Sequence, residues 1–177
     1  DGSLTQRCID YYLERARSGA GLIITGCTRV ENTVEKLPGP TPPGLEAMAS
    51  YGELAESLHH YGAKVFVQLT AGLGRVMPAD FLDAVGTPVS SSVLPVFWKG
   101  SMMTRELTAG EIQAIVEAFG VVAGRLARVG IDGVELHGHE GYLFDQFATA
   151  AWNRRTDRYG GSVEGRLRFA VEVFNAV

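Results

Sequence analysis

Within six residues the chain places His137, His139, Glu140 and Tyr142, and Glu135 stands just before them. All five handle protons or hydrogen bonds. The short apolar run Gly133-Val134-Glu135-Leu136 leads in and reads as a strand. On a strand, Val134 and Leu136 point one way while Glu135 and His137 point the other. His137 therefore ends a strand on its polar face, where an imidazole can donate to a ligand or titrate near neutrality. Tyr142 follows in the loop, and a phenol there can supply a proton if its surroundings hold it protonated. A polar loop with a satisfied histidine is the plain alternative. Metal binding through His137, His139 and Glu140 is disfavoured, because the spacing is not His-Glu-x-x-His and no second ligand set accompanies it.

Two other segments end apolar runs in the same way. Thr25-Gly26-Cys27-Thr28 follows Leu22-Ile23-Ile24. Its small residues let a flat ligand approach the backbone, although a tight turn beside a thiol is equally simple. Gln68 lies near the end of Lys64 to Leu69, before Thr70-Ala71-Gly72-Leu73-Gly74-Arg75. A strand-end amide needs partners, and one that both donates and accepts suits the edge of a heterocycle as well as neighbouring backbone. Arg75 can hold an anion or form a salt bridge with a loop carboxylate.

These positions need a scaffold that brings strand ends together. Ser3-Leu4-Thr5-Gln6 fits a capping box opening a helix from Leu4 to about Ser18, stopped by Gly19 and Gly21. A second helix is expected over Leu45 to Tyr61, ended by Gly62. Thr108-Ala109-Gly110-Glu111 is another capping box, opening a helix to Arg128 that ends at Gly130. Ser162 can cap a last helix from Val163 to Val177. Three times a helix ends in Gly and a short link feeds an apolar strand, which argues for parallel strands joined by crossover helices. Residues 31–43 hold four prolines, and residues 70–107 form a long irregular segment. Both follow strands, as site-building loops do. Gly72-Leu73-Gly74 lacks the third glycine of a dinucleotide fingerprint, so a (β/α)8 barrel is favoured over a doubly wound sheet. A whole barrel needs about 250 residues, so the expected fold is α/β, a partial (β/α)8 barrel.

Composition narrows the class. With 46% hydrophobic residues and a net charge of −4, the chain is ordinary globular material with no basic surface for nucleic acid. No apolar run reaches membrane-spanning length. No signal peptide is seen at the start, and Cys8 and Cys27 form no metal or CxxC pattern. A cytoplasmic location follows by elimination. The bare strand edges of a part-barrel invite pairing with a second copy.

The stretch GVELHGHEGYLFDQFATAAWNRRTDRYGGSVEGRLRFAVEV closely resembles the hallmark region of the Old Yellow Enzyme family of flavin oxidoreductases, and GLIITG and YGAKVFVQL match two earlier landmarks in order. The resemblance covers nearly the whole chain. It implies that residues 1–177 are one piece of a single FMN-binding barrel domain, lacking the first strand and the second half. Cys27, with Gly26 beside it, falls where the family sets a small residue against the flavin ring. Gln68 falls on the glutamine that bonds the flavin pyrimidine edge. His137 falls on the first member of the His-x-x-His/Asn pair that meets the flavin or the substrate carbonyl.

Glu140 replaces the second member, and the run Glu140-Gly141-Tyr142 is similar to the 2,4-dienoyl-CoA reductase and 2-enoate reductase branch. In the dienoyl-CoA reductases the matching tyrosine is an acid. Gln68 to Arg75 also lacks the family's usual histidine and is one residue longer. The implied activity is FMN-dependent, NAD(P)H-driven reduction of the activated C=C bond of enones, enoates or enoyl/dienoyl-CoA-like substrates, or the reverse. Tyr142, His137 and Glu140 are the implied catalytic group. FAD and an iron–sulfur cluster are expected only in the full-length protein, outside this chain, and this piece alone is expected to be nearly inactive. The alternative is a non-catalytic flavin-binding scaffold. A flavin-free aldolase would need a Schiff-base lysine, and Lys36, Lys64 and Lys99 end no expected strand.

Overall fold

A computed structural model of the chain describes residues 2–37 and 42–177, so part of the Pro-rich segment 31–43 lies outside it. Helix α1 spans Gln6–Arg17. Its N-cap is Thr5, whose hydroxyl accepts from the Cys8 amide at 3.3 Å, and not Ser3 as the Ser3–Gln6 pattern predicts. Thr5 is already extended, with ψ at 154°, so the helix begins after it. Strands β1 (Leu22–Ile24) and β2 (Thr28–Arg29) follow. Helix α2 covers Met48–His59, starting later than Leu45 because residues 45–47 form a turn after Pro43 and Gly44. Strand β3 is Lys64–Thr70.

The segment 70–107 is less irregular than its sequence suggests. It holds a 3-10 turn (Gly74–Val76), helix α3 (Ala79–Val85), a parallel pair β4 (Val89–Ser90) and β7 (Arg105–Glu106), and between them a hairpin of β5 (Pro95–Val96) and β6 (Lys99–Met103). These pieces are too short to leave a periodic signature. Helix α4 is Ala109–Arg128, with the expected capping box between Thr108 and Glu111 intact. Strand β8 (Gly133–Leu136), helix α5 (Leu143–Ala148) and helix α6 (Val163–Ala176) complete the chain, the last capped by Ser162 as expected.

Strand β3 is the axis of the sheet. It pairs in parallel with β1 (Ile24 opposite Phe66) and with β8 (Gln68 opposite Glu135). β2 continues along the β1 side, Thr28 opposite Leu69. Four residue steps from Ile24 to Thr28 therefore face three from Phe66 to Leu69. The surplus residue is a bulge at Thr25–Cys27, a device that re-aims side chains at a strand end.

The two faces of the sheet differ. Val65, Val67 and Leu69 are fully buried in the core shared with the helices. That core is closed by the rings of Phe119, Phe144, Phe147 and Phe169, with Phe144 stacked on Phe169 at 4.9 Å. The other face carries Leu22, Ile24, Phe66, Gln68 and Glu135. There Leu22 is 51% and Ile24 40% exposed, although both are apolar strand residues. Gly133 is needed on this face: a Cβ there would lie 2.6 Å from the Phe66 ring. A parallel sheet buries both faces in a finished domain, so this one is built to be enclosed.

The charged loop 153–162 braces the molecule. Arg155 is 6% exposed and forms a two-point ion pair with Asp157, at 2.9 and 2.6 Å. Its remaining donors reach the carbonyls of Ser91 (3.1 Å) and Leu107 (2.7 Å). The loop is thus tied to the middle and to the end of the 70–107 segment.

Candidate active site

The parallel strands deliver the expected residues to one rim. Leu69 is flanked by Thr28 on one side and by Leu136 on the other, and its carbonyl accepts from the His137 amide at 2.9 Å. Cys27, one residue before Thr28, is close enough to feel the charges of Glu135 and Tyr142. Burial pushes its thiol pKa up, against a hydroxyl hydrogen bond from Thr70 that lowers it. A largely protonated thiol follows.

Gln68 takes a partner the sequence reading did not assign. Its Nε2 donates to Glu135 Oε2 at 2.6 Å. The signal was present: strand alternation already sets Glu135 on the His137 face, and the register sets it opposite Gln68. The pair holds the Gln68 amide in one orientation at the uncovered face.

His137 is 8% exposed, and its Nδ1 is buried with no hydrogen-bond partner among the described residues. Burial lowers its pKa, and the neighbouring His139 lowers it further. It is a neutral imidazole with a free ring nitrogen. Its ring lies 4.6 Å from that of Tyr142 and 4.6 Å from that of His139.

Tyr142 is half-buried. Burial, then the charge of Glu140 and a hydrogen bond to it, raise its pKa above the ordinary tyrosine value of 10.0. The phenol is therefore protonated at neutral pH and donates to Glu140. Glu140 has φ at +58°, an uncommon backbone conformation for a side-chain-bearing residue. It is exposed, 3.8 Å from His139 Nδ1. Such a conformation persists when the surroundings fix it, and sites are where it recurs.

What fixes it is Gln146 of α5, fully buried and absent from the residues singled out in sequence. Its Nε2 donates to the carbonyls of Gly141 (2.6 Å) and Leu73 (3.0 Å). Its Oε1 accepts from Ser90 Oγ (2.6 Å) and the Arg75 amide (3.2 Å). One amide clamps the β3 loop to the β8 loop. Gly74, with φ at +58°, has no room for a Cβ beside it.

Between these loops opens a cleft of about 300 Å³ lined by Tyr142, Glu140, Arg75, Trp152, Phe97 and Trp98. Phe97 and Trp98 sit at the tip of the β5–β6 hairpin, which rises from the segment read as irregular. Arg75 does not make the expected salt bridge. No carboxylate among the described residues pairs with it, and its Nε donates to the Pro95 carbonyl at 3.3 Å. Lys64 opens β3 and pairs with Asp132 at 2.7 Å, at the end of the sheet opposite this rim, so this lysine is not placed to act as a Schiff base there.

A second carboxylate is buried against the loop that follows β3. Glu35, 3% exposed, accepts from the amides of Leu73 (2.7 Å) and Gly74 (2.9 Å). Burial raises its pKa from 4.5 to about 7, against those two hydrogen bonds and Arg29, which lower it. Its folded-state value is the higher one, so its contribution to stability is complete below pH 4.5 and is lost as pH rises through about 7. Wild type should lose on the order of 3 kcal/mol relative to Glu35→Gln over that interval. Thermal midpoints of the two proteins against pH check this, and parallel curves would remove the assignment.

A family model described as NADH:flavin oxidoreductase / NADH oxidase matches residues 1–177. The chain is 46% identical over 183 aligned residues to a cinnamate reductase of Clostridium sporogenes, covering 100% of the chain and 27% of that relative. It is 40% identical to an NADH oxidase of Thermoanaerobacter brockii, again over 100% of the chain and 27% of the relative. Among solved structures it is similar to morphinone reductase in complex with tetrahydroNAD, with a TM-score of 0.83 and 32% identity over 99% of this chain and 52% of that one. The chain thus spans about a quarter of these curated relatives and about half of the solved one. The uncovered sheet face follows: the molecule is part of a (β/α)8 barrel, as the sequence predicts.

Proposed function

Because the chain belongs to the NADH:flavin oxidoreductase / NADH oxidase family, we propose that its parent protein binds FMN on the rim described above and reduces the C=C bond of alkenes activated by a carbonyl or carboxylate. The observation that carries this reading is the juxtaposition of a neutral, unpartnered His137 Nδ1 with a protonated Tyr142, their rings 4.6 Å apart.

The residues present fit a flavin. His137 Nδ1 is a buried polar atom in need of a partner. Gln68 offers an amide, oriented by Glu135, on the uncovered face. Gly26 adds no bulk, and the Tyr12 hydroxyl anchors its amide at 2.7 Å. We assign Gln68, His137, Gly26 and Cys27 to holding FMN. FMN held there would supply hydride chemistry toward the β-carbon of the acceptor, with NAD(P)H as the source of the electrons.

The chain's own groups then manage charge and the proton. His137 presents its ring nitrogen to the flavin edge or to the acceptor's oxygen, where negative charge develops as the π electrons shift. Tyr142 gives its hydroxyl proton to the α-carbon, and the phenolate regains one from solvent. Before an acceptor binds, that single proton lies in the hydrogen bond to Glu140, and the hydroxyl turns out of that bond to deliver it. The bulge at Thr25–Cys27 and the Gln146 clamp set these groups before any ligand arrives, which is what preorganised catalysis requires. The similarity to a cinnamate reductase supports an enoate as one acceptor class, and FAD and an iron–sulfur cluster elsewhere in the parent protein as an electron route is part of the same proposal.

The test uses the full-length protein. It should purify with stoichiometric FMN, and NADH or NADPH should bleach the flavin, with an activated alkene restoring the colour without oxygen. A colourless protein, or a reduced flavin indifferent to every activated alkene, would refute the proposal. Gln68→Ala should weaken FMN binding by about tenfold, the value of one lost hydrogen bond to the ring. Equilibrium dialysis reads this, and an unchanged affinity removes Gln68 from the flavin site.

A further inference from the structure

We infer that Arg75 is the group that selects the substrate: its guanidinium receives the free carboxylate of an aryl-substituted 2-enoate whose ring lies among Trp152, Phe97 and Trp98. The inference rests on the reductase reading above and narrows it.

Arg75 is held from several directions. Its amide donates to Gln146 Oε1 at 3.2 Å and its carbonyl accepts from the Phe97 amide at 2.8 Å. Its Nε donates to Pro95. The guanidinium carbon lies 5.1 Å from the Trp152 ring centroid and 5.9 Å from that of Phe97. The two terminal nitrogens have no acceptor among the described residues. By contrast Arg105, Arg155 and Arg158 each reach a carboxylate. A half-buried fork with its stem fixed and its two tips free matches a planar carboxylate, which it can bind through two parallel hydrogen bonds.

The rest of the cleft fits the remainder of such a molecule. Its walls are aromatic, and about 300 Å³ suits a single substituted ring and not an extended thioester carrier. Tyr142 lines the same cleft. The carbon bearing a carboxylate is the α-carbon, so an acid seated on Arg75 brings the atom to be protonated next to the donor. Glu140 also lines the cleft, but its carboxylate is engaged by the Tyr142 hydroxyl and lies near His139.

The experiment measures binding without turnover. The full-length flavoprotein is titrated calorimetrically with 3-phenylpropanoate, which has no C=C bond to reduce, and with its neutral amide. Wild type should prefer the acid. Arg75→Met should weaken the acid on the order of 10- to 100-fold and the amide less than about twofold. Arg75→Lys should fall between, since it keeps the charge and loses the fork. Equal binding of acid and amide by wild type overturns the inference, and so does an equal loss of both in Arg75→Met, which would make Arg75 a packing residue. If Arg75→Met does not fold, the wild-type preference and Arg75→Lys decide. Acid binding through Arg75 with no alkene reduction would sink the reductase reading alone, while alkene reduction with no acid preference would sink only this one.

Discussion

Replacing Tyr142 with Phe in the full-length protein is expected to slow reoxidation of the reduced flavin by an activated alkene roughly 10²- to 10⁴-fold, the usual worth of a positioned general acid. Reduction of the flavin by NAD(P)H should change less than about twofold, because that half-reaction needs no proton at the α-carbon. The phenol is well placed to matter. Burial and the Glu140 carboxylate keep it protonated throughout the neutral range, so the oxidative half-reaction should show no loss of the acid below the ordinary tyrosine value of 10.0. Stopped-flow absorbance separates the two half-reactions. Equal slowing of both would assign Tyr142 to flavin positioning and leave the proton donor to be sought elsewhere on the rim.

The second large effect is on stability. Gln146→Leu should destabilise the protein by about 3–5 kcal/mol. The side chain is fully buried and makes hydrogen bonds to Gly141, Leu73, Ser90 and Arg75. Leucine fills nearly the same volume and satisfies none of them, so two carbonyls, an amide and a hydroxyl would be left bare in a dry interior. A fall of about 10 °C in the thermal midpoint is the expected reading. The same change frees the Glu140–Tyr142 loop from the Arg75 loop, so surviving protein should also bind 3-phenylpropanoate more weakly. A midpoint within about 2 °C of wild type would mean that water replaces the amide and that the clamp is not structural.

Much of this was legible without coordinates, and for a reason. Helix caps such as Thr108–Glu111 and Ser162 are local signals, settled by residues three apart. Strand β8 was read at its observed bounds because a period of two sorts Glu135 and His137 from Val134 and Leu136. From helix–strand alternation came the parallel order and hence a common rim for Cys27, Gln68 and His137. The resemblance of the 133–173 stretch named the chemistry that such a rim could carry.

Other features depend on what meets what across the fold. The Ser3 cap failed because Thr5 is the residue at the turn, and neither sequence pattern excludes the other. The bulge at Thr25–Cys27 exists only as a mismatch with Phe66–Leu69. Gln68 finds Glu135 across 67 residues of chain, Glu35 reaches Leu73 across 38, and Gln146 reaches Leu73 across 73. Arg75 was open to two readings until the structure showed its terminal nitrogens without a carboxylate. Sequence by itself therefore determined the elements, their order and the residue types at the rim, since these rest on short-range periodicity and capping. Tertiary structure alone decided partnership, burial and protonation, because a buried polar group is defined by neighbours that the chain brings to it from far away.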